Sequence, residues 1–289
     1  MIMVRRSLFV GALVVLLGCA LWGFWIEPAS LRVEEVELPL AWPYERPLRI
    51  AVASDLHVGS PFETLEHLRT VVDRINATHP DLICLLGDFV TVDVLGGKRV
   101  APEKIAAELG RLRAPAGVFG VLGNHDRTLN ASRVSEALRA NGMRVLEDTA
   151  VRVTTPSGPV WIAGVSDFWT APHDIRRALE PVTDSVLPVF VITHNPDIFP
   201  EVPARVLLTL AGHTHGGQVR LPIIGSPIVP SRYGQRYVRG HVREGGRDLY
   251  VTTGVGTSGI AVRFGVPPTI FVLNVRAEAE PSKESTGPS

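Results

Sequence analysis

The 289-residue chain has no surplus of either charge, with Lys plus Arg and Asp plus Glu at 29 each. That balance removes any general electrostatic case for nucleic acid, which is held by displacing counterions with a basic surface. Cysteine is scarce too. Cys19 lies in an apolar run and Cys84 in an expected core strand, so no disulfide framework is expected, and cysteine usage does not decide the compartment. No internal repeat occurs, which argues against solenoids and propellers. What remains is 45% apolar and 20% charged, the balance of a globular chain with a sizeable core.

One long apolar run stands apart. Arg5 and Arg6 precede an uncharged stretch over residues 8–26, just long enough to cross ~30 Å of hydrocarbon as a helix. It has no polar face, unlike most buried helices of soluble domains, and no clean small-x-small cleavage site follows it. Residues 1–26 therefore read as an uncleaved membrane anchor, the alternative being a signal peptide removed after export. By the positive-inside rule the two arginines keep the N-terminus in the cytoplasm, so the remaining chain lies outside the cytoplasmic membrane as a single-pass protein. Arg5-Arg6-Ser7-Leu8-Phe9 also looks like a degraded twin-arginine export signal.

Beyond the anchor, residues 27–47 read as a Pro-rich juxtamembrane linker whose alternating Leu31, Val33, Val36 and Leu38 suit an edge strand. Short apolar runs at 48–53, 81–86, 117–122, 188–193 and 205–210 read as buried strands. A helix is expected from Ser60 as N-cap, with Pro61 in the first turn and Glu63 completing a capping box. A second starts at Pro102. Residues 150–155 and 160–165 flank Ser157-Gly158, a hairpin signal, and late strands are expected at 249–253 and 269–275. Residues 277–289 are polar and rich in Pro and Ser, a disordered tail. The pattern predicts one α/β domain over 48–276, two packed sheets with helices outside.

Five polar clusters interrupt this pattern, four of them directly after an apolar strand: Asp55-Leu56-His57, Gly87-Asp88, Gly123-Asn124-His125-Asp126, His194-Asn195 and Gly212-His213-Thr214-His215-Gly216-Gly217. Loops beyond strand ends are where α/β folds place ligands. Asp55 with His57, and His213 with His215, stand two residues apart, a spacing that on extended backbone points both side chains to one side, so that each pair could grip one ion. Carboxylate, imidazole and amide donors together suit Mn, Fe, Zn or Co better than Mg or Ca. Taken singly, Asp55 or Asp88 could be a helix cap and a lone histidine a surface residue. The ensemble decides, because five of the nine histidines fall inside the clusters.

The ordered set SDLH, GDF, GNHD, THNPD and GHTHGGQ resembles the calcineurin-like metallophosphoesterases, and among them the bacterial membrane-anchored phosphodiesterases, over residues 50–275. The resemblance implies a four-layer α/β sandwich, two mixed β-sheets flanked by helices. It implies that Asp55, His57 and His215 bind one divalent transition-metal ion, that Asn124, His194 and His213 bind a second, and that Asp88 bridges them. Manganese is the expected metal, with iron or zinc as alternatives. A hydroxide held between the ions would attack phosphorus, with metal charge offsetting the phosphate oxygens. His125 would serve the leaving oxygen as a proton donor, and Asp126 would fix the tautomer of His125 or simply shape the turn. Ser166-Asp167 stands where relatives often carry two acidic residues, so Ser166 is not counted as a ligand.

The expected substrate is a phosphoester, diester before monoester, from the membrane or cell envelope. Arg232, Arg236 and Arg263 are candidate phosphate contacts, the first two in a rim loop over 222–239. Two competing readings are kept: a hydrolase resembling UDP-2,3-diacylglucosamine diphosphatase, and an inactive membrane-bound metal-binding module.

Overall fold

The computed structural model describes residues 2–184 and 186–278; most of the expected disordered tail lies outside the described residues. The chain opens with helix α1 (Ile2–Leu21), which continues as a π-helical turn over Trp22–Ile26. The segment Arg6–Ile26 is long and apolar enough to cross a membrane and is almost wholly unburied. It projects from the domain with Leu8, Phe9, Leu16 and Leu17 all exposed.

Among the described residues, twelve strands form two six-stranded mixed sheets. The first holds β1 (Arg32–Leu40), β2 (Leu48–Ala53), β3 (Leu82–Leu85), β4 (Val118–Gly120), β5 (Arg144–Val145) and β12 (Thr269–Ala277), in the order β1-β12-β2-β3-β4-β5. The second holds β6 (Thr149–Thr155), β7 (Gly158–Val165), β8 (Val189–Thr193), β9 (Leu208–Ala211), β10 (Gly240–Glu244) and β11 (Arg247–Val251), in the order β10-β11-β9-β8-β7-β6. Between them lies a core of Ile50, Val52, Phe119, Phe190, Ile192 and Leu273. Helices α2 (Leu65–Ala77), α3 (Pro102–Leu109) and α4 (Asn124–Ala140) cover one outer face, and α5 (Ile175–Leu179) with a 3₁₀ turn at Pro196–Glu201 covers the other.

The central strands are mostly apolar because both faces are covered. In β8 all five residues are buried.

The stretch before β2 is part of the sheet as well. β1 pairs in parallel with β12 through nine residues, and Leu38 and Leu40 enter the inter-sheet core. Residues 32–40 are thus an edge strand of the first sheet. Helix α2 also begins later than its sequence suggests, at Thr64, whose hydroxyl accepts from His67 N–H. Ser60–Glu63 is a turn, with Phe62 at φ 74°. The buried Glu63 carboxylate meets His67 Nδ1 at 2.7 Å.

Candidate active site

β2, β3, β4, β8 and β9 all deliver their next residues to one edge of the sandwich. Asp55 and His57 follow β2, Asp88 follows β3, Asn124 opens α4 after β4, His194 follows β8, and His213 and His215 follow β9. The backbone turns hard at each exit. Asp55 (φ 52°), His57 (φ 41°), Asp88 (φ 55°), His213 (φ 68°) and His215 (φ 52°) all sit in the left-handed region. L-residues adopt it at a cost on the order of 1 kcal/mol or more each, and such residues gather where function requires it.

These turns correct the extended-pair expectation. His213 and His215 diverge. His215 Nε2 lies 3.1 Å from His57 Nε2 and 3.4 Å from Asp55 Oδ1, whereas His213 Nδ1 lies 3.2 Å from His194 Nε2. His194 Nε2 is in turn 3.1 Å from Asn124 Oδ1. Asp88 stands between the two groups, its Oδ2 3.6 Å from His57 Nε2 and 3.4 Å from His194 Nε2. Carboxylate and imidazole atoms gather within 4.8 Å of one another in three sets: Asp55–His57–His215, His57–Asp88–His125 and Asp55–Asp88–His194.

The ligand-type atoms are oriented from behind. His194 Nδ1 meets Leu86 O at 2.7 Å and His215 Nδ1 meets Gly256 O at 3.3 Å. A carbonyl only accepts, so each Nδ1 carries a proton and each Nε2 faces inward, where the neutral ring would offer its lone pair, the usual support for a metal-binding histidine. The Asp55 carboxylate accepts from His213 N–H and from the Ser54 hydroxyl. Two glycines make room: a Cβ on Gly123 would overlap the Asp88 carboxylate, and one on Gly212 would lie 2.9 Å from Asp55 Oδ2.

Burial pushes His57 and His215 down to about 3 and His213 well below its ordinary value, so their nitrogens are held neutral, the form that binds metal. Burial raises Asp55. For Asp88 burial acts upward, but His194, His57 and His125 around it carry the carboxyl far below its usual range. His194 is the counterpart: burial opposes its charging, yet Asp88, Asp55 and Asp167 hold it well above its ordinary value. A buried carboxylate pair demands a cation, and the protein alone has a protonated histidine for that place. The mixed oxygen and nitrogen donors fit divalent transition metals. His57 Nδ1 and His213 Nε2 are buried without a hydrogen-bond partner among the described residues.

Among the described residues, no hydrogen bond joins Asp126 to the His125 ring. Its fully buried carboxylate accepts from the N–H groups of Asp88, Phe89, Val90 and Gly123 at 2.8–3.2 Å, stitching the Asp88 turn to the start of α4. Burial, with the Asp88 charge adding to it, pushes Asp126 up to about 7. The tautomer of His125 is set instead by Val92 N–H, which donates to Nδ1 at 3.2 Å. That leaves the proton on Nε2, 4.0 Å from Asp88 Oδ2 and 3.4 Å from Ser258 Oγ. Asn124 and His125 are the partly exposed members of the set, so the site opens on their side.

The three candidate arginines separate. Arg263 is fully buried and donates to the carbonyls of Val266, Thr253, Gly254 and Gly256; it braces the loop behind His215 and is no phosphate contact. Arg236 is committed to Glu244 and to the rings of Tyr233 and Tyr237. Arg232 stacks 4.7 Å from the Phe168 ring centroid, beside Trp169, which stands edge-on to His213 at 4.2 Å. Trp169 and Ser258 were not singled out in the sequence. The signal for Ser258 was the Gly-rich run over 254–259, while a lone exposed tryptophan carried none.

Comparison with known proteins agrees with this geometry. Residues 48–217 match the model of the family described as calcineurin-like phosphoesterase. Phosphodiesterase YaeI of Escherichia coli is 32% identical over 235 residues, covering 79% of this chain and 82% of that protein. UDP-2,3-diacylglucosamine pyrophosphatase LpxG of Chlamydia trachomatis is 28% identical over 309 residues, covering 87% of this chain and 91% of its own length. A zebrafish protein named transmembrane protein with metallophosphoesterase domain is 27% identical over 270 residues, covering 87% of this chain and 59% of itself. By the family match and these relatives, this chain belongs to the calcineurin-like phosphoesterases and is a hydrolase of phosphoester bonds.

Proposed function

We propose that this chain is a membrane-anchored, metal-dependent phosphodiesterase acting on phosphoesters at the membrane surface. The observation that carries it is the convergence of Asp55, His57, Asp88, Asn124, His194, His213 and His215 around one buried carboxylate. Asp55, His57 and His215 would hold one ion, Asn124, His194 and His213 the other, with Asp88 between them. Manganese is the first expectation for both. Bound there, the two ions supply a water of lowered pKa and charge to offset the phosphate oxygens.

The chain's own groups do the rest. His125 presents a protonated Nε2 at the open side, fixed by Val92, and donates it toward the leaving oxygen. Asp126 holds the Asp88 turn so that the bridging carboxylate keeps its place. Arg232, stacked on Phe168 at the rim, is the remaining candidate phosphate contact.

The anchor places this chemistry at a bilayer, and Arg5 and Arg6 before it favour an extracytoplasmic domain. The likeness to LpxG supports a second reading, a diphosphate bond in a nucleotide-linked lipid as substrate, which requires a cytoplasmic domain. Protease added to intact spheroplasts separates them: digestion of the domain supports the outward site, and protection until lysis supports the second reading. The chemistry is tested with the full chain in detergent. It should hydrolyse an activated phosphodiester, lose the activity to a chelator and regain it with Mn. A folded, metal-replete chain inert toward both diesters and monoesters would leave the inactive metal-binding module as the better account.

A further inference from the structure

Outside the anchor, every exposed isoleucine among the described residues lies on one rim: Ile223 (107% exposed), Ile224 (62%), Ile228 (79%) and Ile260 (54%). Ile223 and Ile224 form the tip of a tight hairpin closed by reciprocal bonds between Leu221 and Gly225 at 2.9 and 3.0 Å. Ile223 sits there at φ 70°, a conformation in which a β-branched residue is a genuine outlier and Gly or Asn the ordinary choice. Neither its backbone nor packing within the chain accounts for an isoleucine at that place.

The rim is continuous with the foot of the anchor. Gly23, in the last turn of the apolar helix, accepts from Arg263 N–H, and a Cβ on it would lie 3.6 Å from the side chains of Val262 and Phe264. The buried Glu27 carboxylate accepts from the N–H groups of Gly265 and Val266. Phe264 bridges to Val219 at the base of the hairpin, and the Gln218 side chain donates to Ile260 O. The same segment begins at the candidate ligand His215, so rim, anchor and metal site share one set of loops.

Resting on the reading of residues 6–26 as a membrane anchor, we propose that the hairpin tip Ile223–Ile224, with Ile228 and Ile260, is a second membrane contact. It dips into the leaflet from which the anchor emerges and seats the rim of the metal site on the lipid headgroups. The partner is the bilayer, because the patch adjoins the point where the chain leaves it and Trp22 and Trp25 mark that level. A substrate would then be a lipid phosphoester that never leaves its leaflet.

The test uses the full chain with Cys19→Ser, reconstituted into phosphatidylethanolamine–phosphatidylglycerol vesicles. An environment-sensitive label is placed on Ile228→Cys or, as control, on Val186→Cys, which precedes β8 at the end opposite His194. Lipids spin-labelled near the headgroup should quench the label at 228 and spare that at 186. Adding Ile223→Asn with Ile224→Asn should lower the docked-to-free ratio roughly tenfold, the scale expected for two partly buried isoleucines. The same change should leave thermal stability unchanged or raised, since Asn suits the left-handed turn. A vesicle-bound chain whose label at 228 is unquenched overturns the second contact and leaves the anchor standing. A label shielded from water yet unquenched points to a protein partner and overturns it as well. A chain that does not stay with vesicles overturns the anchor reading and this inference together.

Discussion

Asp126→Asn separates a scaffold from a catalytic role. The Asp126 carboxylate takes two N–H groups on each oxygen: Asp88 and Gly123 on Oδ2, Phe89 and Val90 on Oδ1. The amide of asparagine keeps one oxygen, so whichever way it turns, two buried N–H groups lose their acceptor and face a donor. Each stranded group costs about 1–3 kcal/mol, giving a total of roughly 2–6 kcal/mol. For a domain of this size that corresponds to a fall in Tm of roughly 5–20 °C. The loss should appear in chelated protein, where no metal contributes, and Asp126→Glu should not repair it because the longer carboxylate overshoots the four donors. Calorimetry or near-ultraviolet circular dichroism on chelated wild type and variant gives the comparison. A variant that melts with wild type but has lost its rate would refute the reasoning and return Asp126 to the chemistry beside His125.

His125→Ala should keep both metals and lose rate on the order of 10²-fold, less for substrates whose leaving group needs no proton; metal analysis showing an apo variant would move His125 into the ligand set. Arg263→Gln should lower Tm by several degrees by stranding buried carbonyls, with effects on KM no larger than those on kcat. Arg232→Ala should instead raise KM for a charged diester several-fold at an unchanged Tm, the pattern of a lost binding contact.

The strands were legible because their sequence signal is local. Val189, Phe190, Val191 and Ile192 of β8 form an unbroken apolar run, and the chain must bury it on both faces. The positions of the candidate ligand residues were legible for a related reason: polar clusters at the ends of buried strands have few structural uses. The means of their convergence was not. Spacing by two suggested extended pairs, but left-handed turns at Asp55, His57, His213 and His215 send His213 and His215 to different partners, and such turns leave no periodicity to read.

Helix α4 is not legible in the sequence because its first turn carries the Asn124-His125-Asp126 motif and its backbone is extended at Asn130 (φ 177°, ψ 100°), which interrupts any apolar stripe. Asp126 and Arg263 were given roles by neighbourhood and residue type. Their partners lie 36–38 residues away for three of the Asp126 bonds, and for Arg263 they are carbonyls, which every residue type supplies. The pairing of β1 with the final β12 is of the same kind, set by contacts between the two ends of the domain.

Metal stoichiometry decides whether Asp88 bridges two metals. Chelated full-length chain titrated with Mn should bind two equivalents, with diester hydrolysis appearing as the pair is completed. Asp88→Asn should bind no more than one and remain inactive. Two equivalents retained in a folded Asp88→Asn chain, or a single equivalent giving full activity in wild type, would contradict the account.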